Sequence, residues 1–360
     1  MIRILHVVND MHRAGLETML MNYYRNIDRN IIQFDFLTHR PYKSDYDDEI
    51  ISMGGKVFYA PRLYPQNYHK YFKWMKVFFK EHPEYKIIHS HIDSMSFLPL
   101  LAAKKAGIPI RIAHSHNTSI DFDYKFFLKE FFRIMINKVA NYRFACGDDA
   151  GRYLFRGKEF KYVPNAIDIS KFIYNDDIRT KKREELGIKN QFVLGHIGRL
   201  SYQKNHKFLI NVYKNFVKLF PKSLLILVGT GENENKIKKQ IKKYGIEQNV
   251  LMLGNRADVN ELYQAFDVFV LPSLFEGIPV VGIEAQCAGL PCIFSHKVPK
   301  QVQFTDQVEF IPLSKKLWCK KIVKFLSVTR NHVDMSNSDY NINIACNKLQ
   351  NIYIELYKKK

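Results

Sequence analysis

No stretch of this sequence is long and apolar enough to span a bilayer. The opening run Met1–Val8 is too short and too mixed for a secretory signal, and it reads as a strand. Cysteine is sparse: five residues, an odd number, with no pair at a metal-ligand spacing. Cys287 and Cys292 sit in apolar surroundings and read as small core residues. A reducing compartment is therefore expected, and with it a cytoplasmic protein, either soluble or peripheral on the inner face of the cytoplasmic membrane. There is no Gly-Lys-Ser/Thr phosphate loop. The run Val228-Gly229-Thr230-Gly231-Glu232 is not a full dinucleotide fingerprint either, because Glu234 stands where the last glycine belongs. Internal repeats are absent, and low complexity is confined to Lys358-Lys359-Lys360.

Acidic residues are also few, 35 against 55 lysines and arginines, for a net charge of +20. Such an excess attracts polyanions: nucleic acid, an anionic membrane or phosphorylated ligands. Solvated surface lysine explains it equally well. Zinc-finger spacing, a homeodomain-like pattern and RNA-recognition aromatics are all missing, so nucleic acid is not an expected partner.

With 360 residues, 46% of them hydrophobic, the chain can build two domains with real cores. Apolar strand-like runs alternate with helical patterns, the mark of an α/β fold with parallel sheets. In the first half strands are expected at 3–8, 33–38, 56–59, 87–89, 110–114 and 142–145. In the second half they are expected at 192–196, 224–228, 250–253, 268–271 and 292–294. Each half has enough elements for its own doubly wound sheet. Pro164 and Asn165, followed by the polar stretch Tyr174–Arg183, place the join near residue 170. The expected domains are 1–169 and 170–341, with a long helix near 342–360.

Ligands of open parallel sheets bind at the carboxyl ends of the strands, so residues just after each strand carry the functional reading. The most informative stretch is Phe266–His296. It reads as a strand, a turn with Pro272, Gly277 and Pro279, a helix over 280–288 and another strand. Pro279 suits a first helical turn. Gly277 leads into bare backbone N–H groups, a cradle for an anion. Glu276 and Glu284 beside an anion site fit a ligand that also carries hydroxyls. Gly195-His196-Ile197-Gly198-Arg199, followed by Lys204, puts a guanidinium and an ammonium at another strand end, which suits a diphosphate. Arg256 follows a further strand and reads either as a pocket residue or as a solvated charge. Gly15 opens a helix after the first strand, where a ligand can approach the backbone closely.

Two His-x-His groups, His89-Ser90-His91 and His114-Ser115-His116, end consecutive strands. Zinc there lacks supporting Cys, Asp or Glu apart from Asp93, so hydrogen-bonding and acid/base roles are preferred and no metal site is assigned. Asp121 and Asp123 precede an amphipathic helix and read as capping residues. The stretches Tyr68–Lys80 and Tyr124–Lys138 interleave aromatics with lysine. They fit either helices lying on an anionic membrane surface or helices packed on their sheet.

These pieces, in this order and over nearly the whole chain, resemble the retaining glycosyltransferases of family 4, with the two-domain GT-B fold. Leu274-Phe275-Glu276 through Glu284 carries the likeness most specifically, then Gly198-Arg199-Leu200 with Lys204-Asn205, then Val163-Pro164-Asn165-Ala166-Ile167-Asp168. The wording around His114–Asn117 and Ser295–Pro299 is most similar to the branch that builds bacterial capsular and exopolysaccharides. The resemblance implies two Rossmann-like domains facing across a cleft, with the last helix packing back on the first. It implies a hexosyltransferase that needs no metal or cofactor and moves a sugar from a nucleotide diphosphate sugar, expected to be a UDP-sugar, to a glycan or lipid-linked glycan. Arg199 and Lys204 would hold the diphosphate, helped by backbone N–H groups across Ile278, Pro279 and Val280. Glu284 would bind the ribose, Glu276 the sugar, and Arg256 would lie near the base. Gly15 and His116 would serve from the N-terminal domain, with His114 the runner-up. One departure is Ala14, where the family often has a first glycine. A sugar-nucleotide epimerase or a phosphorylase on the same fold is the alternative reading.

Overall fold

A computed structural model describes residues 1–118, 126–330 and 333–359, so Asp121 and Asp123 lie outside the described residues. The chain forms two compact units. One comprises Met1–Ala166 with Ile342–Lys360, and the other comprises Ile167–Asn341.

The N-terminal unit holds seven strands: β1 (Ile2–Val7), β2 (Ile32–Thr38), β3 (Val57–Tyr59), β4 (Ile87–Ser90), β5 (Ile110–Ser115), β6 (Tyr142–Ala145) and β7 (Lys161–Tyr162). They pair in parallel in the order β3-β2-β1-β4-β5-β6-β7. The second unit holds β8 (Phe192–Ile197), β9 (Ser223–Val228), β10 (Val250–Gly254), β11 (Val268–Leu271), β12 (Cys292–Ser295) and β13 (Val308–Ile311). These are also parallel, in the order β10-β9-β8-β11-β12-β13. Helices cover both faces of a parallel sheet, so its strands read as continuous apolar runs, and all four residues of β11 are buried. In each sheet the order reverses beside the unit's first strand, between β1 and β4 and between β8 and β11. That is where an open α/β sheet leaves its crevice.

The final helix, Ile342–Lys358, belongs to the first unit. It buries Cys346, Leu349 and Tyr353, and the Tyr353 hydroxyl lies 2.6 Å from His89 Nδ1. The polar stretch after residue 174, expected to be part of the join, is instead the helix Asp176–Glu185. Its only large apolar residue is Ile178, and it docks through charge. Arg179 lies 2.5 Å and Arg183 3.4 Å from Asp267, and Lys182 lies 2.8 Å from Asp258. The Asn175 side chain caps it by accepting from the Ile178 N–H at 2.9 Å. Strands β7 and β13 and the helices Asp148–Phe155 and Lys315–Lys324 were not expected either. Both residues of β7 are exposed, so no apolar pattern marks it.

Candidate functional site

At the switch point of the second sheet, the loop after β8 meets the loop after β11. The Leu274 N–H donates to the Gln203 carbonyl at 2.8 Å, which fixes one loop against the other. Across that junction the Lys204 ammonium lies 2.5 Å from Glu276 Oε1. Gln203 Nε2 donates to Glu276 Oε2 at 3.2 Å and to the Phe275 carbonyl at 2.9 Å. Both charged side chains are largely out of solvent, 15% and 7% exposed, so their attraction is weakly screened.

The loops pack too tightly for side chains at two neighbouring positions. Gly229 has φ +128°, and a Cβ there would lie 2.3 Å from the Gly198 carbonyl oxygen. A Cβ on Gly198 would come within 3.2 Å of the Lys204 side chain. Glycine at these positions therefore lets the loop after β8 lie flat beneath the Lys204 stem.

Arg199 stands on the same loop but is 73% exposed, with Glu232 as an ion-pair partner at 3.4 Å. It is an exposed cation beside a largely buried one. The helix after the β11 loop begins at Val280, and Pro279 is its N-cap with ψ 116° rather than its first helical residue. Pro279 has no N–H, so of Ile278, Pro279 and Val280 only the two flanking residues can donate to an anion. Pro279 supplies no side-chain cap; the Gly282 N–H donates to the Pro279 carbonyl at 2.9 Å, and the N–H groups of Val280 and Val281 precede the first intrahelical acceptor.

Glu284, on that same helix, is buried, and Tyr263 Oη donates to its Oε2 at 2.8 Å. Burial pushes the Glu284 carboxyl up to about 7, and the Tyr263 bond opposes this only in part. A ligand donating hydroxyls would favour its ionised form. Tyr263 lies 21 residues before Glu284 in the helix Val259–Ala265, with no motif to announce it. Arg256, expected near a base, is committed elsewhere: Asp258 takes its guanidinium at 2.7 and 2.6 Å and Glu185 at 3.1 Å. It clamps the helix Asp176–Glu185 to the end of β10.

In the N-terminal unit, Gly15 begins the helix Gly15–Asn26, and nothing lies within 4 Å of where its Cβ would stand. Ala14 is the N-cap. Of the two candidate histidines, His114 is sealed at 1% exposure and His116 is half-buried. The His116 N–H donates to Asp93 Oδ1 at 2.9 Å, and Asn117 Nδ2 donates to Oδ2 at 2.7 Å. Asp93 holds a left-handed φ of 45°, a strained conformation for a residue with a Cβ. Burial also lowers the pKa of His6, His89, His91, His114 and His116, so all five rings stand neutral. His6 drew no attention in the sequence because it sits alone in an apolar strand.

Two family models match this chain: Glycosyltransferase Family 4 over residues 13–171 and Glycosyl transferases group 1 over residues 178–328. The chain is 38% identical over 309 residues to the provisionally named glycosyltransferase EpsF of Bacillus subtilis (strain 168), covering 83% of this chain and 80% of that protein. It is 28% identical, over 77% of each chain, to the UDP-Gal:alpha-D-GlcNAc-diphosphoundecaprenol alpha-1,3-galactosyltransferase of Escherichia coli. It is 26% identical to the capsular polysaccharide biosynthesis glycosyltransferase CapH of Staphylococcus aureus, over 98% of this chain and 99% of that one. Among solved structures, Anabaena HepE in complex with UDP and glucose superposes with a TM-score of 0.77 at 18% identity, covering 100% of this chain and 98% of that one. That likeness shows the fold.

Proposed function

The chain belongs to the glycosyltransferases of family 4, and we propose that it transfers a hexosyl group from a UDP-sugar to a lipid-linked glycan with retention of anomeric configuration, in capsule or exopolysaccharide assembly. The observation that carries the donor reading is the Lys204–Glu276 pair at the β8/β11 switch point, beside Arg199 and an uncapped helix N-terminus. A UDP-sugar offers a diphosphate to the cations and hydroxyls to the two carboxylates. The Escherichia coli relative's name supports a UDP-sugar donor and a polyprenyl diphosphate acceptor, and the CapH name supports capsule assembly.

In this mechanism the leaving group is a diphosphate whose negative charge grows as the glycosidic bond breaks. Lys204 is already fixed by Glu276, so its charge needs no reorganisation when the bond breaks. Arg199 swings from Glu232 onto the phosphate oxygens and can bind them with two parallel N–H donors. The N–H of Val280 adds a fixed dipole. Glu276 accepts from a sugar hydroxyl while keeping Lys204 in place, and Glu284 accepts from the ribose diol. Stabilisation that strengthens with developing charge raises turnover rather than ground-state affinity. Departure of the diphosphate then needs no metal. Gly15 and His116 are the contributions proposed for the N-terminal unit, to which the acceptor is assigned.

The membrane reading gains support from one of its two stretches. The helix Tyr68–Glu81 turns Tyr71, Met75, Phe78 and Phe79 inward and is a packed helix. The helix Phe126–Met135 exposes Phe127 (83%), Phe131 (52%) and Ile134 (49%) along one stripe, and Lys138 just beyond it is exposed. An apolar stripe with a basic neighbour suits an anionic surface carrying the lipid-linked acceptor. Among the described residues no helix is long and apolar enough to cross a membrane.

The test is a donor screen with the purified chain, measuring nucleotide diphosphate release with and without polyprenyl diphosphate sugars. Acceptor-dependent UDP release supports the reading. Formation of an epimer or a sugar 1-phosphate instead would replace it with one of the alternatives on this fold.

A further inference from the structure

Five histidines from three adjacent strands and their ends form a hydrogen-bonded array in the N-terminal unit. His6 Nδ1 is 2.9 Å from His91 Nε2, and His91 Nδ1 is 3.0 Å from His116 Nε2. In parallel, His89 Nδ1 is 2.6 Å from Tyr353 Oη and His89 Nε2 is 3.1 Å from His114 Nδ1. The pattern follows from register. His6 of β1 stands opposite His89 of β4, and each hydrogen bond steps diagonally to a ring further along the next strand. His114 Nε2 is buried and has no hydrogen-bond partner among the described residues. One ring nitrogen from each of His91, His114 and His116 lies within 4.8 Å of the other two.

We propose that His91, His114 and His116 bind a divalent transition-metal cation of borderline softness, with Zn2+ the best fit and a water in the fourth position. Three neutral imidazoles with no carboxylate favour Zn2+, Cu2+ or Ni2+ over Mg2+, Ca2+ or Mn2+, which prefer oxygen. One set of tautomers keeps the His6–His91, His89–Tyr353 and His89–His114 hydrogen bonds and leaves the right lone pairs, the metal taking the place of the His91–His116 hydrogen bond. His91 donates from Nε2 to His6 Nδ1 and keeps Nδ1 free. His114 donates from Nδ1 to His89 Nε2 and keeps Nε2 free, while His89 donates from Nδ1 to Tyr353. His116, protonated on Nδ1, offers Nε2. Three lone pairs are then available without loss of a proton.

Two of the three ligating rings are held from behind by another side chain, the outer-shell arrangement that fixes tautomer and orientation in metal sites. Asp93 holds the third through the His116 backbone. Zn–N bonds of about 2.0–2.1 Å put tetrahedral ligand nitrogens roughly 3.3 Å apart, so the 3.0 Å His91–His116 contact needs to open only slightly. Half-buried His116 gives the entry path. The other grouping, His6, His89 and His91, has both His89 nitrogens in hydrogen bonds to Tyr353 and His114, and all three of its rings are sealed from solvent. The acidic trio of Glu185, Asp258 and Glu261 already receives the Lys182 ammonium. The site shares His116 with the transferase reading, but the diphosphate clamp is drawn from the second unit, and metal uptake is measured without donor or acceptor, so the two readings fail separately.

The experiment uses the full chain without a histidine tag, stripped with chelator and then titrated with Zn2+ and with Co2+ as a visible probe. The expected result is one equivalent of metal per folded chain, with Co2+ giving tetrahedral ligand-field bands. His116→Ala abolishes the bands. His6→Asn, which removes only a positioning ring, weakens uptake by about 10- to 100-fold. His69→Ala, on an exposed helical position, changes nothing. Circular dichroism confirms that each variant is folded. Less than half an equivalent bound by the folded wild-type chain, or uptake by folded His116→Ala equal to wild type, overturns the proposal.

Discussion

Lys204 and Glu276 form a nearly buried ion pair, 2.5 Å between ammonium and carboxylate, across the two loops at the switch point of the second sheet. Arg199, on the same loop as Lys204, is mostly in solvent. The two cations proposed to hold the diphosphate therefore differ in what else they support. Lys204→Ala leaves a buried carboxylate without its counterion, a loss on the order of 3 kcal/mol of stability, and lowers kcat by about 10²–10³-fold. Arg199→Ala lowers kcat on the same scale and leaves the melting temperature unchanged. Thermal melts beside steady-state kinetics check both. Near-normal turnover in both variants removes the diphosphate assignment.

Glu284 makes donor binding pH-dependent. Its folded pKa of about 7 lies above the ordinary carboxylate range, so the folded chain holds a proton that the unfolded chain has already lost. Its contribution to stability is most favourable below the unfolded value and declines as pH rises toward 7. Glu284→Gln is therefore expected to raise the melting temperature near pH 8 by several degrees while weakening UDP binding by at least tenfold. In the wild type, UDP affinity strengthens as pH rises through about 7, because ribose hydroxyls donate to the ionised form. Calorimetric titration across that range measures it, and an equally steep dependence in Glu284→Gln assigns the titration to another group.

Arg256 offers a contrast between structure and binding. Its guanidinium serves Asp258 and Glu185. Arg256→Ala should lower the melting temperature modestly, since the pair is partly exposed, and leave KM for the donor within about twofold. A rise in KM with no change in melting would restore Arg256 to the base pocket.

The exposed stripe of Phe127, Phe131 and Ile134 predicts salt-sensitive adsorption to anionic vesicles. Phe127→Glu with Phe131→Glu should abolish cosedimentation while leaving transfer to a short, water-soluble acceptor intact. Equal sedimentation of wild type and variant sinks the membrane assignment.

Much of this was legible in the sequence because parallel strands buried on both faces leave continuous apolar runs. Val268–Leu271 was bounded to the residue, and so was Tyr142–Ala145. What escaped lacks that signal. The helix Asp176–Glu185 is held by arginine and lysine contacts, and β7 is two exposed residues. At the candidate site, Glu276, Glu284, Arg199 and Lys204 were proposed from their places after strands, and the structure brings Lys204 and Glu276 together. Their supports were not. Gln203 and Tyr263 act through tertiary contacts 73 and 21 residues away in sequence. His6 meets His91 only because β1 and β4 are neighbours in the sheet.

The most direct measurement of the central claim is the anomeric configuration of the product. The purified chain is incubated with a panel of α-linked UDP-hexoses and a polyprenyl diphosphate sugar, and the new linkage is read by NMR. The expected product carries an α linkage, is formed with stoichiometric UDP, and is lost in Lys204→Ala. A β-linked product, or no transfer from any donor by a folded and lipid-supplied chain, contradicts it.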